Sequence, residues 1–390
     1  MNSLIHLGLT INAEISSVFV AESMVNIIVA FFLLFSLTFI LIPQIRKITI
    51  RFGLFDTPVN RSSHLVAIPS LGGISFYICY LVLVFFIAPL DKDNMLVYFM
   101  ISMSILFVIG FLDDIIDLSA KIKFLAQLLA VSVLLSNSEI RIDSLYGFLG
   151  IYEIPIHLSI LGSLFFLIGL INAFNLIDGI DGLAAVTGII VASFYSFMLY
   201  KLSYWFYLYI CIATIATLLA FLRYNLSKHK KLFMGDTGSL VIGLVLGVLT
   251  LKLMSVGDLG YLALSFRAQK LPIFLIGVLF VPVLDIIRVM MLRLFRGVSI
   301  FRPDRNHIHH ILIDLGFSHT KAAFLIGFVN LVVASIMFVT IRVFDTMQSM
   351  FILIFIFLLS FVLLFILNKS KMALRLKLKI KKRITNKRFF

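Results

Sequence analysis

Two asparagines, two aspartates and two glycines stand together between two apolar segments, in the stretch 172–182. Asp178 and Asp181 are three residues apart and can share one face of a helix. Gly179 and Gly182 carry no side chain and let the backbone approach a ligand closely. Ionised groups beside apolar spans call for a functional reason. A turn capped by Asn and Asp is the alternative, and this stretch alone does not decide between a site and a turn.

The composition is that of a membrane protein with many apolar helices. Of its 390 residues, 61% are hydrophobic and only 13% are charged, and the mean hydropathy is +1.12. Soluble domains carry about 25% charged residues. Many apolar segments approach the roughly 20 residues that a helix needs to cross a bilayer. We therefore predict an all-α, polytopic membrane bundle. Cys79 and Cys211 lie inside apolar segments and indicate no disulfide framework.

About eleven segments are candidates for membrane-spanning helices. They are 24–43, 71–90, 95–112, 124–140, 157–174, 183–200, 204–222, 239–254, 272–291, 323–342 and 350–367. The fourth is the weakest, because its uninterrupted apolar part is short. The chain is thereby divided into a short extracytoplasmic N-terminus (1–23), a transmembrane catalytic domain (24–367) and a basic cytoplasmic tail (368–390).

Positive charge is distributed unevenly between the two sides of this predicted bundle. Most of the 33 Lys and Arg residues follow odd-numbered spans or lie in the C-terminal tail. Cytoplasmic loops carry such an excess, so we predict an external N-terminus and a cytoplasmic C-terminus. A basic segment beside a span typically rests on anionic lipid. The net charge of +14 therefore does not require binding to nucleic acid.

Three further polar motifs fall on the cytoplasmic side in this topology. Asp113 and Asp114 follow the third span, and Asp236 precedes the eighth. The third motif, after the ninth span, contains Arg302, Arg305, His307, His309 and His310. Each has a structural alternative: adjacent acids that end a helix against its dipole, an aspartate that caps a helix, or a solvated histidine loop. Four such coincidences on one face are harder to explain than one site, so we predict a single cytoplasm-facing site.

A membrane-surface enzyme explains this distribution better than a transporter does. Transporters and proton pumps place ionisable groups near the middle of the membrane. In this chain nearly all mid-span positions are apolar, and the polar residues collect at the ends of the spans. A transporter of a lipid-linked sugar is therefore the weaker alternative.

The residue types in these motifs suit metal-assisted phosphoryl transfer. Asn175 and several carboxylates offer hard oxygen ligands, which favour Mg²⁺ or Mn²⁺ over zinc. Lys123, Arg302 and Arg305 supply cations that can hold phosphate oxygens. The sequence Gly-Asp-Thr-Gly at 235–238 resembles a helix N-terminus, where anions are favoured. Phosphoryl transfer depends mostly on such positioning and charge neutralisation.

In content and order these motifs resemble those of the polyprenyl-phosphate N-acetylhexosamine-1-phosphate transferases. The matching positions, between about residue 51 and about residue 320, are 55–58, Arg61, His64, Pro69, Gly72, Gly73, 111–114, Lys123, 172–182, 233–239 and 307–310. Ile308 interrupts the histidines, as in the bacterial N-acetylglucosamine-1-phosphate branch (WecA and TagO), whereas the cell-wall pentapeptide branch has three consecutive histidines. Ser62 and Ser63 stand where relatives often carry basic residues. Whether the first loop contacts a phosphate is therefore an open alternative.

The resemblance implies a reaction. A UDP-N-acetylhexosamine would donate sugar 1-phosphate to undecaprenyl phosphate, releasing UMP, with Mg²⁺ required and Mn²⁺ as an alternative. N-acetylglucosamine is the expected sugar, and another N-acetylhexosamine is the alternative. This would be the first membrane step of a cell-envelope glycan such as O-antigen, teichoic acid or another polysaccharide. A CDP-alcohol type phosphotransferase fits less well, because such enzymes gather their aspartates in one segment.

The same resemblance implies roles, residue by residue. Asn175 and Asp236 resemble metal ligands, and Asp236 also counts among the catalytic residues. Asp113 or Asp114 resembles the base that keeps the lipid phosphate deprotonated. The remaining positions would bind the substrates: His64, Lys123, Asp178, Asp181, Arg302, Arg305, His307, His309 and His310. Direct attack by the lipid phosphate and a covalent aspartyl intermediate both stay open, although direct attack needs only alignment and charge screening.

The chemistry of the acceptor predicts part of the architecture. A long isoprenoid must stay in lipid while its phosphate meets a soluble nucleotide sugar, so we predict an intramembrane groove beside the motifs. The ninth span is a candidate wall, because Pro272 and Pro282 can kink it. The expected partners are the UDP-sugar, undecaprenyl phosphate and membrane lipids, with a homodimer as an open alternative. The expected location is the bacterial plasma (inner) membrane, with the site facing the cytoplasm.

Overall fold

The computed structural model is almost entirely helical. It describes residues 2–56, 67–91, 93–257, 264–298 and 306–386, and within these ranges the side chains between 24 and 370. The helices there are α1 (Asn2–Arg51), α2 (Gly73–Ile87), α3 (Met95–Ile116), α4 (Ala120–Leu135), α5 (Ile156–Ile177), α6 (Leu183–Lys201), α7 (Trp205–Asn225), α8 (Gly235–Met254), α9 (Leu271–Val278), α10 (Phe280–Phe295), α11 (Ile308–Asp314), α12 (His319–Val343) and α13 (Thr346–Asn386).

Two short antiparallel sheets complete the described structure. Strands β1 (Phe55–Asp56) and β2 (Ile68–Pro69) pair before α2, and β3 (Ser144–Phe148) and β4 (Ile151–Glu153) pair before α5. The four strands have only two to five residues each, so the predicted all-α class is confirmed.

Nine helices within the described ranges are long and apolar enough to cross a membrane, and the bent pair α9 and α10 makes a tenth if it is one span. Ten of the eleven predicted spans therefore have a matching helix or helix pair. Helices α1 and α13 continue past the predicted domain limits, while their apolar segments are Met24–Arg51 and Thr346–Ser370.

The remaining predicted span corresponds to α4, which has only 16 residues. At 1.5 Å per residue it is about 24 Å long, short of a full bilayer core. Just after its end, the Asn137 amide donates a hydrogen bond of 2.9 Å to the carbonyl of Asp93, which precedes α3. Helix α4 therefore runs antiparallel to α3 over nearly its whole length, and a short 3₁₀ turn (Ser138–Ile140) follows it.

Helix α8 is the centre of the bundle. Its 18-residue apolar window is completely buried inside the protein, compared with 11% of the window in α13. Helices α2, α3, α5 and α6 surround it. A side chain at Gly243 would lie 2.7 Å from the Cα of Ile171, so the glycine is what permits the close packing of α8 on α5. This packing brings the N-terminus of α8 to the place where α3 and α5 end.

Helices α9 and α10 meet at a bend of 73°. Pro282 has no backbone N–H and cannot bond to the carbonyl of Val278, four residues earlier. The kink predicted in the ninth span is confirmed, but Pro272 lies at the start of α9 and not at the bend. Helix α10 packs against α5 and α12. The groove itself stays a prediction.

Candidate active site

The ends of four helices bring five of the predicted site residues together. Asp113 and Asp114 lie at the end of α3, Lys123 at the start of α4, Asn175 at the end of α5 and Asp236 at the start of α8. Apolar helices leave their polar residues at the termini, because burying ionised groups among lipid-facing positions is costly. Antiparallel packing of α3 with α4, and of α5 with α8, then brings these termini to one end of the bundle.

Lys123 bridges two carboxylates at the centre of this cluster. Its Nζ lies 2.5 Å from Asp113 Oδ2 and 2.7 Å from Asp236 Oδ2. The second oxygen of Asp113 accepts a hydrogen bond of 2.8 Å from the backbone N–H of Leu118. Two carboxylates this close repel each other unless a cation lies between them. Lys123 supplies that cation, and it remains partly exposed at the protein surface.

Asp114 is bonded differently from its neighbour. Its Oδ1 accepts from the backbone N–H of Asp236 at 2.8 Å, and its Oδ2 accepts from the N–H and the hydroxyl of Thr237 at 3.0 and 2.5 Å. These N–H groups belong to the first turn of α8 and have no partner within that helix. Asp114 therefore caps α8 from α3. The alternative in which Asp236 caps its own helix is wrong, because no side chain of α8 caps its N-terminus.

Gly235 permits this contact, and we predict that Gly235→Ala destabilises the protein. Its φ is +73°, and an added Cβ would lie 2.3 Å from Asp114 Oδ2. We expect a loss of about 1–3 kcal/mol from the strained backbone and the displaced carboxylate. Thermal unfolding in detergent tests this, with Gly162→Ala as the control because nothing lies within 4 Å of its added Cβ. Equal unfolding midpoints for the two variants would contradict the prediction.

Asn175 joins the cluster from α5. Its amide interacts with the Asp236 carboxylate and donates a hydrogen bond of 3.0 Å to the Ser239 hydroxyl. One helical turn behind it, the Asn172 and Gln127 side chains hydrogen-bond each other at 2.7 and 3.4 Å. This amide pair joins α5 to α4 directly behind Asn175 and Lys123. Gln127 was not predicted from the sequence. Its only signal there is an amide side chain four residues after Lys123, in an otherwise apolar segment.

Asp178 is half-buried among other carboxylates. Burial, followed by the charges of Asp236, Asp114 and Asp181, raises the pKa of Asp178 well above its usual range. A region with this excess of carboxylates favours an additional cation. No three His, Cys, Asp or Glu side chains of the described ranges surround one point. Mg²⁺ fits nonetheless, because it is commonly bound by one or two carboxylates together with waters and substrate phosphates.

Asp181 is held by two basic side chains from other parts of the chain. Its Oδ2 lies 2.6 Å from Lys231 Nζ and 3.3 Å from His319 Nδ1. Burial raises the pKa of Asp181, but His319 and Lys231 outweigh that effect and hold the pKa below its usual range. The second oxygen, Oδ1, is buried and has no hydrogen-bond partner among the described residues. Its capacity to accept a hydrogen bond is therefore unused among the described residues.

The three predicted histidines are packed inside the protein, so the alternative of a solvated loop is wrong for them. The exposed fractions of His307, His309 and His310 are 4%, 2% and 7%. Burial, with the nearby His310, lowers the pKa of His309 to about 3, so the ring is neutral at physiological pH. Its Nε2 lies 2.5 Å from where a Cβ on Gly179 would stand. The histidine motif and the 172–182 motif are thus in direct contact.

Asp285 of α10 fixes the start of the histidine motif. Its Oδ2 lies 2.8 Å from His307 Nδ1, and its Oδ1 accepts from the backbone N–H of Ile308 at 2.8 Å. Arg288 donates to the carbonyl of Asn306. From the sequence, the three-residue spacing of Asp285 and Arg288 indicates only that the two could pair with each other. The missed signal is that a buried aspartate in an apolar helix requires a polar partner from elsewhere.

The segment directly before α2 reaches the same end of the bundle. The N–H groups of Gly72 and Gly73 donate to the carbonyls of Phe233 and Met234, each at 2.9 Å, and the N–H of Phe233 donates to Pro69. This backbone pairing places the start of α2 beside the N-terminus of α8. The predicted substrate-binding residues His64, Arg302 and Arg305 lie outside the described residues.

Comparison with known proteins agrees with this geometry. Residues 96–254 match the model of a family described as glycosyl transferase family 4. A probable undecaprenyl-phosphate N-acetylglucosaminyl 1-phosphate transferase of Bacillus subtilis is 31% identical over 319 residues, which cover 79% of this chain and 84% of that protein. The undecaprenyl-phosphate alpha-N-acetylglucosaminyl 1-phosphate transferase of Salmonella typhi is 30% identical over 78% of this chain and 81% of its own length.

The corresponding protein of Haemophilus influenzae is 28% identical over 73% of this chain and 78% of its own length. The matched regions include all four helix ends that form the carboxylate cluster. The resemblance inferred from the motifs is therefore confirmed, and the chain belongs to glycosyl transferase family 4, in the branch of the undecaprenyl-phosphate N-acetylglucosaminyl 1-phosphate transferases.

Proposed function

We propose that this protein transfers N-acetylglucosamine 1-phosphate from UDP-N-acetylglucosamine to undecaprenyl phosphate. An oxygen of the lipid phosphate attacks the β-phosphorus of the donor. The bond from that phosphorus to the oxygen bridging to the α-phosphorus breaks, and UMP leaves with the bridging oxygen. The observation that carries the proposal is the cluster of Asp113, Lys123, Asn175 and Asp236 at the end of an apolar bundle, where a lipid headgroup and a soluble nucleotide can meet.

Asp113 is the better placed of the two candidate bases. Both oxygens of Asp114 are occupied by the first turn of α8. Asp113 Oδ2 instead is bonded to the flexible side chain of Lys123, and the Asp113 carboxylate also interacts with Asp236. In this proposal Asp113 accepts the proton of the lipid phosphate. Lys123 then moves its charge from the two carboxylates toward the phosphate oxygens, since a lysine has a flexible stem and three donors.

Asn175 and Asp236 are the proposed ligands of Mg²⁺, with Mn²⁺ as the alternative. The Asn175 amide contacts the Asp236 carboxylate, and each side chain carries a hard oxygen donor of the kind that suits these ions. When bound, such an ion neutralises charge on the phosphoryl group being transferred. The protein's own contribution is to hold the two ligands rigidly, through Ser239 for Asn175 and through the capped turn of α8 for Asp236.

Asp178, Asp181 and the three histidines are proposed to bind the nucleotide sugar. The contact of His309 with Gly179 joins the histidines to the 172–182 stretch, and Asp178 of that stretch interacts electrostatically with Asp236 and Asp114. The unpartnered Oδ1 of Asp181 supplies a hydrogen-bond acceptor for the donor. His64, Arg302 and Arg305 are proposed as further binding residues, on the family resemblance alone.

The proposed location is the bacterial inner (plasma) membrane, with the site facing the cytoplasm. The excess of basic residues on the site side of the bundle supports this orientation. The donor sugar is a soluble cytoplasmic metabolite, and a site at the membrane surface gives it access. The proposed role is the first membrane step of a cell-envelope glycan.

The reaction can be tested with purified protein in lipid nanodiscs. We expect radiolabelled UDP-N-acetylglucosamine, undecaprenyl phosphate and Mg²⁺ to give a lipid-linked radioactive product and an equal amount of UMP. UDP-N-acetylgalactosamine and UDP-glucose are the comparison donors, and reactions without lipid phosphate or with EDTA are the controls. Turnover of another donor in place of UDP-N-acetylglucosamine would overturn the choice of sugar. Transport of a preformed lipid-linked sugar without chemistry would overturn the reaction.

A further inference from the structure

We propose that Asn330 is a positioning residue that acts from a distance. It holds in place the three buried histidines of the site, His307, His309 and His310, which we call the histidine wall. Asn330 lies in α12 and is completely buried, and both of its side-chain hydrogen bonds to described residues go to the backbone of the bend. It acts through the bend between α9 and α10. This inference rests on the proposed function, because the histidines that Asn330 positions are proposed there to bind the nucleotide sugar.

The first step is the clamp at the bend. Pro282 leaves the carbonyl of Val278 without its helical partner, and the break also frees the N–H of Val281. Asn330 supplies both missing partners, since its Nδ2 donates to the Val278 carbonyl at 3.1 Å and its Oδ1 accepts from Val281 at 2.9 Å. An amide is the natural side chain for this task, because it carries one donor group and one acceptor group at a fixed separation.

The second step leads from the bend to the site. The angle of α10 decides where Asp285 lies, four residues after Val281. Asp285 holds His307 and the backbone of Ile308 through its two oxygens, at 2.8 Å each. Ile308 begins α11, the short helix that carries His309 and His310. His309 then packs against Gly179. An uninterrupted chain of contacts thus joins Asn330 to the 172–182 motif.

The clamp also has a direct energetic consequence. Without Asn330 two buried backbone groups lose their partners, and each such loss costs about 1–3 kcal/mol. The bend can relieve part of that cost by changing its angle, because no other described side chain is bonded to these two groups. Any change of angle moves Asp285 relative to α11. The histidine wall should therefore loosen before the bundle unfolds.

The test uses Asn330→Leu, which keeps a similar volume and removes both hydrogen bonds. Diethyl pyrocarbonate modifies accessible histidines, and mass spectrometry reports the rate at each position. We expect modification of His309 and His310 to accelerate roughly tenfold as the buried motif opens, with exposed His229 as the internal reference. This readout needs no substrate, so it distinguishes failure of this inference from failure of the proposed function.

Kinetics give the second readout. The KM for UDP-N-acetylglucosamine should rise roughly tenfold in Asn330→Leu while kcat changes little, because binding contacts are lost without touching the reacting atoms. In the double variant Asn330→Leu/Asp285→Asn, both effects should equal those of Asp285→Asn alone, since the two residues act through one path.

The control is Met337→Leu, a volume-conserving change in α12 where the side chain packs on Gly277 of α9. It should leave histidine modification and KM unchanged. Unchanged modification rates in folded Asn330→Leu, or effects that add independently to those of Asp285→Asn, would overturn the proposal. If Asn330→Leu does not fold, Asn330→Ser keeps a donor and an acceptor at this position and should show the same pattern at smaller amplitude.

Discussion

Asp236→Ala should reduce turnover by at least about a thousandfold without unfolding the bundle. The Asp236 carboxylate contacts the other side chains of the cluster. Its Oδ2 lies 2.7 Å from Lys123 Nζ, and Asn175 and Asp113 also interact with it. Its removal takes away a proposed metal ligand and leaves Lys123 paired with Asp113 alone. The capping of α8 should survive, since Asp114 bonds to the backbone of residue 236 and not to its side chain. Turnover of labelled donor in nanodiscs measures the loss.

A binding measurement separates the metal role from a general loss of activity. Mg²⁺ should raise the thermal midpoint of the wild-type protein, because a ligand that binds only the folded state stabilises it. Asp236→Ala should lose this shift. Asp117→Asn is the matched control, since Asp117 ends the same α3 segment but takes no part in the cluster. Retained turnover in Asp236→Ala, or a Mg²⁺ shift equal to that of the wild type, would refute the role.

Much of the site was predictable because apolar helices leave few places for charge. Asp113, Asn175 and Asp236 each interrupt or adjoin an apolar segment, so each had to lie at a helix terminus. The alternation of direction along the chain then put those termini on one side. Because α3 and α5 both pack against α8, the residues at these termini are also in contact with one another.

The division of labour between Asp113 and Asp114 could not be read from the sequence. Adjacent residues on a helix point about 100° apart, so the two carboxylates face different neighbours. Asp114 faces the first turn of α8, and Asp113 faces Lys123. Which one meets which neighbour depends on how α3 is rotated against α8. That rotation is set by packing between segments more than a hundred residues apart, which local patterns do not encode.

The sequence did not predict that Asn330 supports the histidine wall, for a related reason. Proline at 282 predicted a bend, yet nothing local indicated its angle or the residue that satisfies the broken backbone. Asn330 is a single polar residue in an apolar helix, and such a residue is equally consistent with a hydrogen bond along its own helix. Only the packing of α12 on α9 and α10 shows that its partners are Val278 and Val281.

Asp113→Asn should lower kcat by about 10²- to 10⁴-fold, the usual effect of losing a positioned general base. The fold should be retained, because the asparagine oxygen can still accept the bond from Leu118 and Lys123 keeps its partner Asp236. Asp114→Asn should behave differently. One amide oxygen cannot replace two carboxylate oxygens that receive three hydrogen bonds, so this variant should lose about 1–3 kcal/mol of stability. Nanodisc kinetics and thermal unfolding, measured on both variants, separate the two roles.

The pH dependence of the residual activity tests what Asp113 does. A phosphate monoester loses its second proton with a pKa of about 6. As pH rises, the lipid phosphate loses the proton without help, so a missing base matters less. The activity of Asp113→Asn should therefore climb toward that of the wild type between roughly pH 6 and pH 8. Asp236→Ala should show no such recovery, since it lacks a proposed metal ligand and not a proton acceptor. A low and flat profile for folded Asp113→Asn would mean that Asp113 places Lys123 and accepts no proton.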